Sequence, residues 1–418
     1  MKRILITLTI LVILVAMMPH DGKSIPAFAR KYGFNCNMCH TSFIKLNDFG
    51  QRFRNNGYQI PGQEGGEKNV FETGAPLSIR TSAGISLYKQ DKHFTSGFNL
   101  YGFDLLAAGV MHKNISFLMI YTPRIDEPAA DYTGPGDGNN PSQLAALESA
   151  NIVFSNLVQD ALNIRVGRFE PAYHLISSKR SYYMMSPYEV YNYATPNNSF
   201  IFDDNQTGVE ITGHFQSGFR YATGLVNGNG ANPDNNKFKD GYFALQQIFG
   251  RGEGQSAGQQ IGIFGYLGWQ PTDMNDVFVS PTGEAAGHNS KSFNRIGGNL
   301  SLNYNTFNLR ALYLHGADNK VLNADTTQDY KYNGGFAELD YAGLMNNRLM
   351  LSAMYNWVSP PSYDENNKIQ AYSLLVRYYL GDWTAVNVAL HGEYTHRKTG
   401  DDNPVKDDNF LFLVDFDF

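Results

Sequence analysis

Residues 348–357 read Arg348-Leu349-Met350-Leu351-Ser352-Ala353-Met354-Tyr355-Asn356-Trp357. Successive side chains of a strand point to opposite faces. Leu349, Leu351, Ala353, Tyr355 and Trp357 therefore share one side, and Arg348, Met350, Ser352, Met354 and Asn356 the other. About ten residues of such half-apolar alternation is the length of a transmembrane β-strand. The pattern recurs. Ile296, Leu300, Leu302 and Tyr304 oppose Asn299, Ser301 and Asn303, and Val386, Val388, Leu390 and Tyr394 oppose Asn387, His391 and Glu393. Phe410, Phe412, Val414, Phe416 and Phe418 close the chain at the same period, in the manner of the last strand of a bacterial outer-membrane protein. From residue 77 onward about 16 segments of this kind can be counted.

The connections between them alternate in length. Short ones fall at 110–113, 156–160, 214–218, 304–306, 343–347 and 381–382, and long ones at 125–144, 170–205, 227–238, 271–289, 317–327, 360–367 and 397–406. Short periplasmic turns opposite long extracellular loops mark an outer-membrane barrel. A soluble sandwich would have shorter strands, and a β-helix would show a fixed repeat. The reading is thus an all-β, about 16-stranded transmembrane barrel over residues 76–418, whose even strand number puts both ends on the periplasmic side. Tyr313, Trp357, Tyr378, Trp383 and Tyr394, near strand ends, suit the interfacial girdles.

Composition agrees. In 418 residues only 17% are charged while 14% are aromatic, which suits alternating strands and not a helical membrane bundle. A net charge of -6 argues against nucleic acid as a partner. Residues 1–24 carry Lys2 and Arg3, an apolar run from 4 to 18, then Pro19 and small or polar residues. They read as a signal peptide and not as an uncleaved anchor. Cleavage is expected after Ser24, with Ala29 as the alternative.

The only two cysteines stand in Cys36-Asn37-Met38-Cys39-His40. Two thiols three apart can reach both vinyl groups of one porphyrin, and the following imidazole can sit beneath its iron, so the spacing is that of c-type haem attachment. A zinc site would need four ligands, and a redox dithiol would want a βαβ setting. One motif means one covalently attached haem c, with Cys36 and Cys39 as tethers and His40 as axial ligand. Between Thr41 and Pro76 there is no His and no Met, so a distal ligand must come from elsewhere. His214, His391, Met350 and Met354 are candidates by strand parity, and His174, Met184 and Met185 if the long loop folds inward.

Around the motif, residues 26–30, Phe43, Leu46-Asn47, Phe49-Gly50, Phe53 and Asn56-Gly57-Tyr58 resemble the head of the fused monohaem cytochrome–porins, a family of outer-membrane iron oxidases. The resemblance covers residues 26–58, and Ile44 departs from it where many relatives carry proline. On periodicity, 41–58 reads as one amphipathic helix whose face of Phe43, Leu46, Phe49, Gly50 and Phe53 can cover a porphyrin edge. Asn56-Gly57 ends that helix. Residues 25–75 form a haem plug too small to fold without haem or an enclosing wall, and it enters the barrel from the periplasmic side.

What the resemblance implies is electron transfer across the outer membrane: oxidation of extracellular Fe(II), with electrons passed to a periplasmic cytochrome. Whether the chain is an enzyme in its own right stays open. Outward transfer to an extracellular acceptor and a porin with a structural haem are the alternatives. Asp126, Glu127 and Asp131, Asp203-Asp204 and Asp401-Asp402 are candidate iron-attracting carboxylates in long loops.

Overall fold

The computed structural model describes residues 27–42, 44–63, 65, 69–73, 77–122, 147–185, 188–250, 258–272, 290–323, 327–381 and 388–417. The signal segment, Phe43, Asp126, Glu127, Asp131, Trp383, Val386, Asn387 and Phe418 lie outside the described residues.

Sixteen antiparallel strands close on themselves. In chain order they are β1 Leu77–Gln90, β2 His93–His112, β3 Ile115–Tyr121, β4 Leu147–Phe154, β5 Asn163–Phe169, β6 Gln206–His214, β7 Phe219–Val226 and β8 Asp240–Phe249. Then follow β9 Gln259–Pro271, β10 Ser290–Tyr304, β11 Phe307–Asp318, β12 Tyr330–Leu344, β13 Leu349–Ser359, β14 Ile369–Tyr379, β15 Val388–Thr399 and β16 Val405–Asp417. Each pairs with its chain neighbour, and β16 closes onto β1 with Phe412 opposite Ile85.

The strand parity holds. Ile296, Leu302, Tyr304 and Leu351 are exposed, while Asn299, Ser301, Asn303, Met350, Ser352, Met354 and Asn356 are buried. Outward apolar positions at the strand centres, such as Ile261, Ile263, Leu374 and Val376, form the belt that a bilayer's hydrocarbon would cover. Aromatics flank it at both levels. Tyr355 packs on Trp357 and Tyr372, and Tyr394 on Phe410, towards the long loops. Phe307 stacks on Tyr341, and Phe215 meets Phe219 at a tilt, at the short turns. The two-residue turn at 305–306 is left-handed at Asn305 (φ 51), a conformation that Asn tolerates better than most residues. Three connections depart from the expected alternation: at the long-loop end β1 and β2 join through 91–92 alone and β15 and β16 through 400–404, while at the short-turn end β8 and β9 are nine residues apart, 250–258.

Two insertions fill the bore. Residues 170–205, between β5 and β6, fold inward and bury Tyr173, Tyr182, Tyr188 and Tyr191 completely or nearly so. Residues 27–63 occupy the short-turn end. There Gln59 donates to Ser155 (3.2 Å), Arg52 pairs with Asp160 (2.6 Å), and a Cβ on Gly57 would meet Ser116 Oγ.

Candidate functional site

The motif begins at Asn35, in extended conformation, and passes into a single 3-10 turn, Cys36–Met38, closed by the Cys39 N–H donating to the Cys36 carbonyl (3.2 Å). His40–Ser42 then pairs with Lys45–Leu46 as a two-stranded hairpin. The single helix expected over 41–58 is therefore a hairpin followed by α2, Asp48–Asn55. Asn47 is the physical reason. Its N–H donates to the Cys39 carbonyl (2.9 Å), its side-chain amide donates to the Asn37 and Met38 carbonyls (3.3 and 3.0 Å), and its Oδ1 accepts from Gly50 N as helix cap. One side chain thus ties the Cys36–His40 segment to the helix start. Phe49, Gly50 and Phe53 stay on α2 as read, and Gly57 (φ 67) follows its end.

Gly50 backs the motif so closely that a Cβ there would lie 2.2 Å from the Cys39 carbonyl oxygen. Beside it, Phe28 of the first helix (Ala27–Tyr32) stacks on Tyr58 with centroids 4.9 Å apart and meets Phe53 edge-on. Tyr32 donates to the Tyr58 carbonyl (3.0 Å), and the cluster rests on Ala108 and Leu118 of the wall.

Cys36, Cys39 and His40 open onto one cavity of about 460 Å³, in the range of cofactor sites. The plug supplies Phe28, Phe34, Ile44, Leu46, Gly50 and Phe53; the wall adds Leu106, Ala108, Leu118 and Ile120. Its far end is charged. Arg80, Asp104 and Glu148 come from β1, β2 and β4, Arg54 from the plug, and Glu170, Lys179 and Arg180 from the inward loop. Burial pushes the His40 imidazole down to about 4, so it is neutral and able to ligate at ordinary pH; the Ile44 and Lys45 backbone and Arg180 contribute less. For Glu170, burial alone would raise the carboxyl, but Arg180 and Arg54 beside it hold it well below the usual range. Two thiols, a neutral imidazole, apolar walls and a polar rim could hold a covalently attached haem.

The plug is held by buried charge. Lys45 Nζ donates to Glu338 (2.7 Å) and to Asp340 of β12, beneath the Tyr182 ring (4.6 Å). Asp48 accepts from Arg220, and Tyr182 donates to Ser42. Parity reasoning places Glu338 and Asp340 inward, yet nothing local in the sequence pairs them with Lys45, 293 residues away for Glu338.

The distal candidates do not converge on this cavity. His214 bonds Asn55 (3.0 Å), His391 lies between Glu393 and Asp415, and His174 bonds the Phe202 carbonyl. Met350 and Met354 are buried against other parts of the lumen. Met184 comes nearest: with Met185 it is anchored by backbone bonds to Glu393, and it lines a small cavity that shares Ile44 and Arg80 with the larger one. Of the candidate iron carboxylates, Asp401 is paired with Lys368 (2.6 Å) and Lys398 (3.4 Å). Asp203 accepts from Ser178 on the inward loop, so Asp203-Asp204 belong to that insertion and not to a free outer loop.

No protein-family model matches the sequence, and no curated protein matches it. Solved structures do. OmpT of Vibrio cholerae in its trimer form superposes with a TM-score of 0.52 at 10% identity, over 82% of this chain and 99% of that one. The anion-selective porin from Comamonas acidovorans gives 0.52 at 10%, over 82% and 100%. The fold is that of the outer-membrane porins. The outer membrane channel DcaP of Acinetobacter baumannii agrees (0.51 at 8%, over 83% and 98%). At such identities the porin fold is what is shared.

Proposed function

We propose that this chain is a monohaem c-type cytochrome–porin of the outer membrane, moving electrons between an extracellular species and a periplasmic carrier, with Fe(II) as the donor. The observation that carries the reading is the enclosure of Cys36, Cys39 and His40 in a cavity walled by plug, barrel and inward loop together. A detached cytochrome module would have its own wall; this one borrows β1 to β4. The apolar belt is about 25 Å tall and keeps soluble donors and acceptors apart, so a redox centre held within the bore shortens the gap.

When bound, a haem c supplies a one-electron ferric/ferrous couple. The chain's residues do the rest. Cys36 and Cys39 would tether it, neutral His40 would offer its imidazole to the iron, and Leu106, Ala108, Leu118 and Ile120 would exclude water from one side. On the family resemblance the periplasmic carrier would meet the plug at the short-turn end. The direction of flow and the ferrous donor rest on that resemblance. A second reading, a solute channel, comes from the fold; the burial of lumen positions such as Asn299, Glu338 and Asn356 weighs against free passage.

Stopped-flow mixing of oxidised protein in detergent with Fe(II) tests the donor: reduction of one haem per chain is expected. A haem that stays ferric with excess Fe(II) but reduces with a stronger donor would remove the iron reading and leave outward transfer or a structural haem.

A further inference from the structure

Among the described residues, the arginines buried on the barrel wall are Arg165, Arg220, Arg295, Arg310 and Arg377. Four of them are clamped to a carboxylate. Arg165 pairs with Glu210 (2.7 Å), Arg220 with Asp48 of the plug, Arg295 with Asp318, and Arg377 with Asp415 (2.8 Å). Arg310, on β11, differs. It is only 7% exposed, yet among the described residues its guanidinium makes no hydrogen bond and no ion pair, and its enclosed Nε has no partner. A guanidinium carries five N–H donors, and enclosing a charged donor set without an acceptor is costly.

The register shows why the obvious acceptor is not free. Glu338 of β12 stands directly opposite Arg310. Its two oxygens are taken by Lys45 of the plug (2.7 Å) and by the Tyr188 hydroxyl of the inward loop (3.0 Å). Asp340 also receives Lys45. Arg310 instead lines a second, small cavity of about 30 Å³ where plug, inward loop and wall meet. The plug brings Asp48 and Gln51 to it, the loop Arg180, and the wall Arg220 and Gln260; neither Glu338 nor Asp340 lines it. Its one carboxylate, Asp48, is held by Arg220. The charges across this junction are Lys45, Arg54, Arg180, Arg220 and Arg310 against Asp48, Glu170, Glu338 and Asp340. Five cations stand against four carboxylates, while the Arg52–Asp160 and Arg165–Glu210 pairs cancel within themselves. One positive charge is left over, and Arg310 is the group with unused donors. The cavity exceeds the roughly 10–15 Å³ that a single water needs, which gives room for one monatomic ion.

We propose that this cavity binds one monovalent anion of the size of chloride, with the Arg310 guanidinium as its main donor and the Gln51 and Gln260 amides on the same cavity. The bound ion supplies the missing acceptor and neutralises the surplus charge at the three-way junction, so it helps to seat the plug. The site is separate from the Cys36–His40 cavity and does not depend on the haem reading.

The test uses the full chain purified in detergent, as wild type, Arg310→Gln and Arg310→Lys, each first exchanged into sodium gluconate. Equilibrium dialysis against radiolabelled chloride is expected to show one ion per wild-type chain, displaced by bromide. Arg310→Gln should bind at least about tenfold more weakly, the scale of a lost hydrogen bond to a charged group, and Arg310→Lys should recover part of the affinity. The thermal transition of wild type should rise when chloride replaces gluconate at constant ionic strength, and Arg310→Gln should lose that rise. Wild type that retains no chloride would show that water alone meets Arg310, and the proposal would fall. Equal retention by wild type and Arg310→Gln would mark an adventitious ion only and would overturn it too. Should the variants not fold, bromide soaked into wild-type crystals decides: an anomalous peak beside Arg310 supports the site, and no peak there refutes it.

Discussion

Gly50, Lys45 and Glu170 each carry a consequence larger than their size. Gly50→Ala would gain helix propensity of up to about 1 kcal/mol, but its Cβ would press on the Cys39 carbonyl oxygen, a backbone atom fixed by Asn47. Overpacking of roughly 1–3 kcal/mol wins, and haem per chain, read from the pyridine haemochrome spectrum, should fall at least about threefold. Lys45→Met strands Glu338 and Asp340 in the interior, which costs about 3–5 kcal/mol. The thermal transition in detergent should drop, and neutralising both acids by Glu338→Gln and Asp340→Asn should restore most of it. Glu170 joins plug to loop through Arg54 and Arg180. Its folded-state carboxyl is depressed, so its contribution is present above the unfolded value of about 4.3 and is lost only as pH falls through the lower folded value. Glu170→Gln should therefore be less stable than wild type at pH 7, with the difference in transition temperature closing as pH drops well below 4. A constant difference from pH 7 to pH 3 would contradict this. None of these ties shows in the local sequence. Cys36, Cys39 and His40 stand out as a group because their spacing is local, whereas Arg80 reaches the cavity through barrel register and Lys179 and Glu170 through the inward fold of the loop.

The elements divide the same way. Strands such as Leu349–Ser359 were readable because one face meets lipid and the other the lumen, which imposes a period of two. The hairpin of residues 40–46 was not, since Leu46 sits three residues before Phe49 and mimics a helical face, and only the cap at Asn47 shows where the helix starts. The inward loop was visible as a length but not as a plug. Its buried tyrosines are satisfied by partners far along the chain, Tyr188 by Glu338 (3.0 Å) and Tyr183 by Ser352 (2.9 Å). That dependence predicts the loop's role. Replacing residues 171–202 with a short Gly–Ser linker removes Lys179, Arg180 and the Tyr182 contact to Ser42 together. The haem should remain covalently bound, since Cys36 and Cys39 are untouched, while trypsin cleavage within residues 27–63 becomes much faster than in the intact chain.

For the whole molecule the deciding number is sixteen. A closed barrel of 16 to 18 strands leaves an aqueous channel unless something fills it. Here lumen-facing Arg295 and Asp318 are nearly inaccessible and paired with each other, and Lys45, on the plug, is as deeply enclosed as any core side chain. Two insertions from opposite ends meet at the Tyr182–Ser42 bond and in the shared cavity. A bore filled this way leaves little open path for solutes. In planar bilayers the intact chain should show conductance at least about tenfold below that of a chain lacking residues 25–75, whose barrel keeps all sixteen strands and only the loop as filler. Equal conductance in the two would mean that the plug does not seat in the bore in a membrane. The enclosure of Cys36, Cys39 and His40, on which the electron-transfer reading depends, would then be lost.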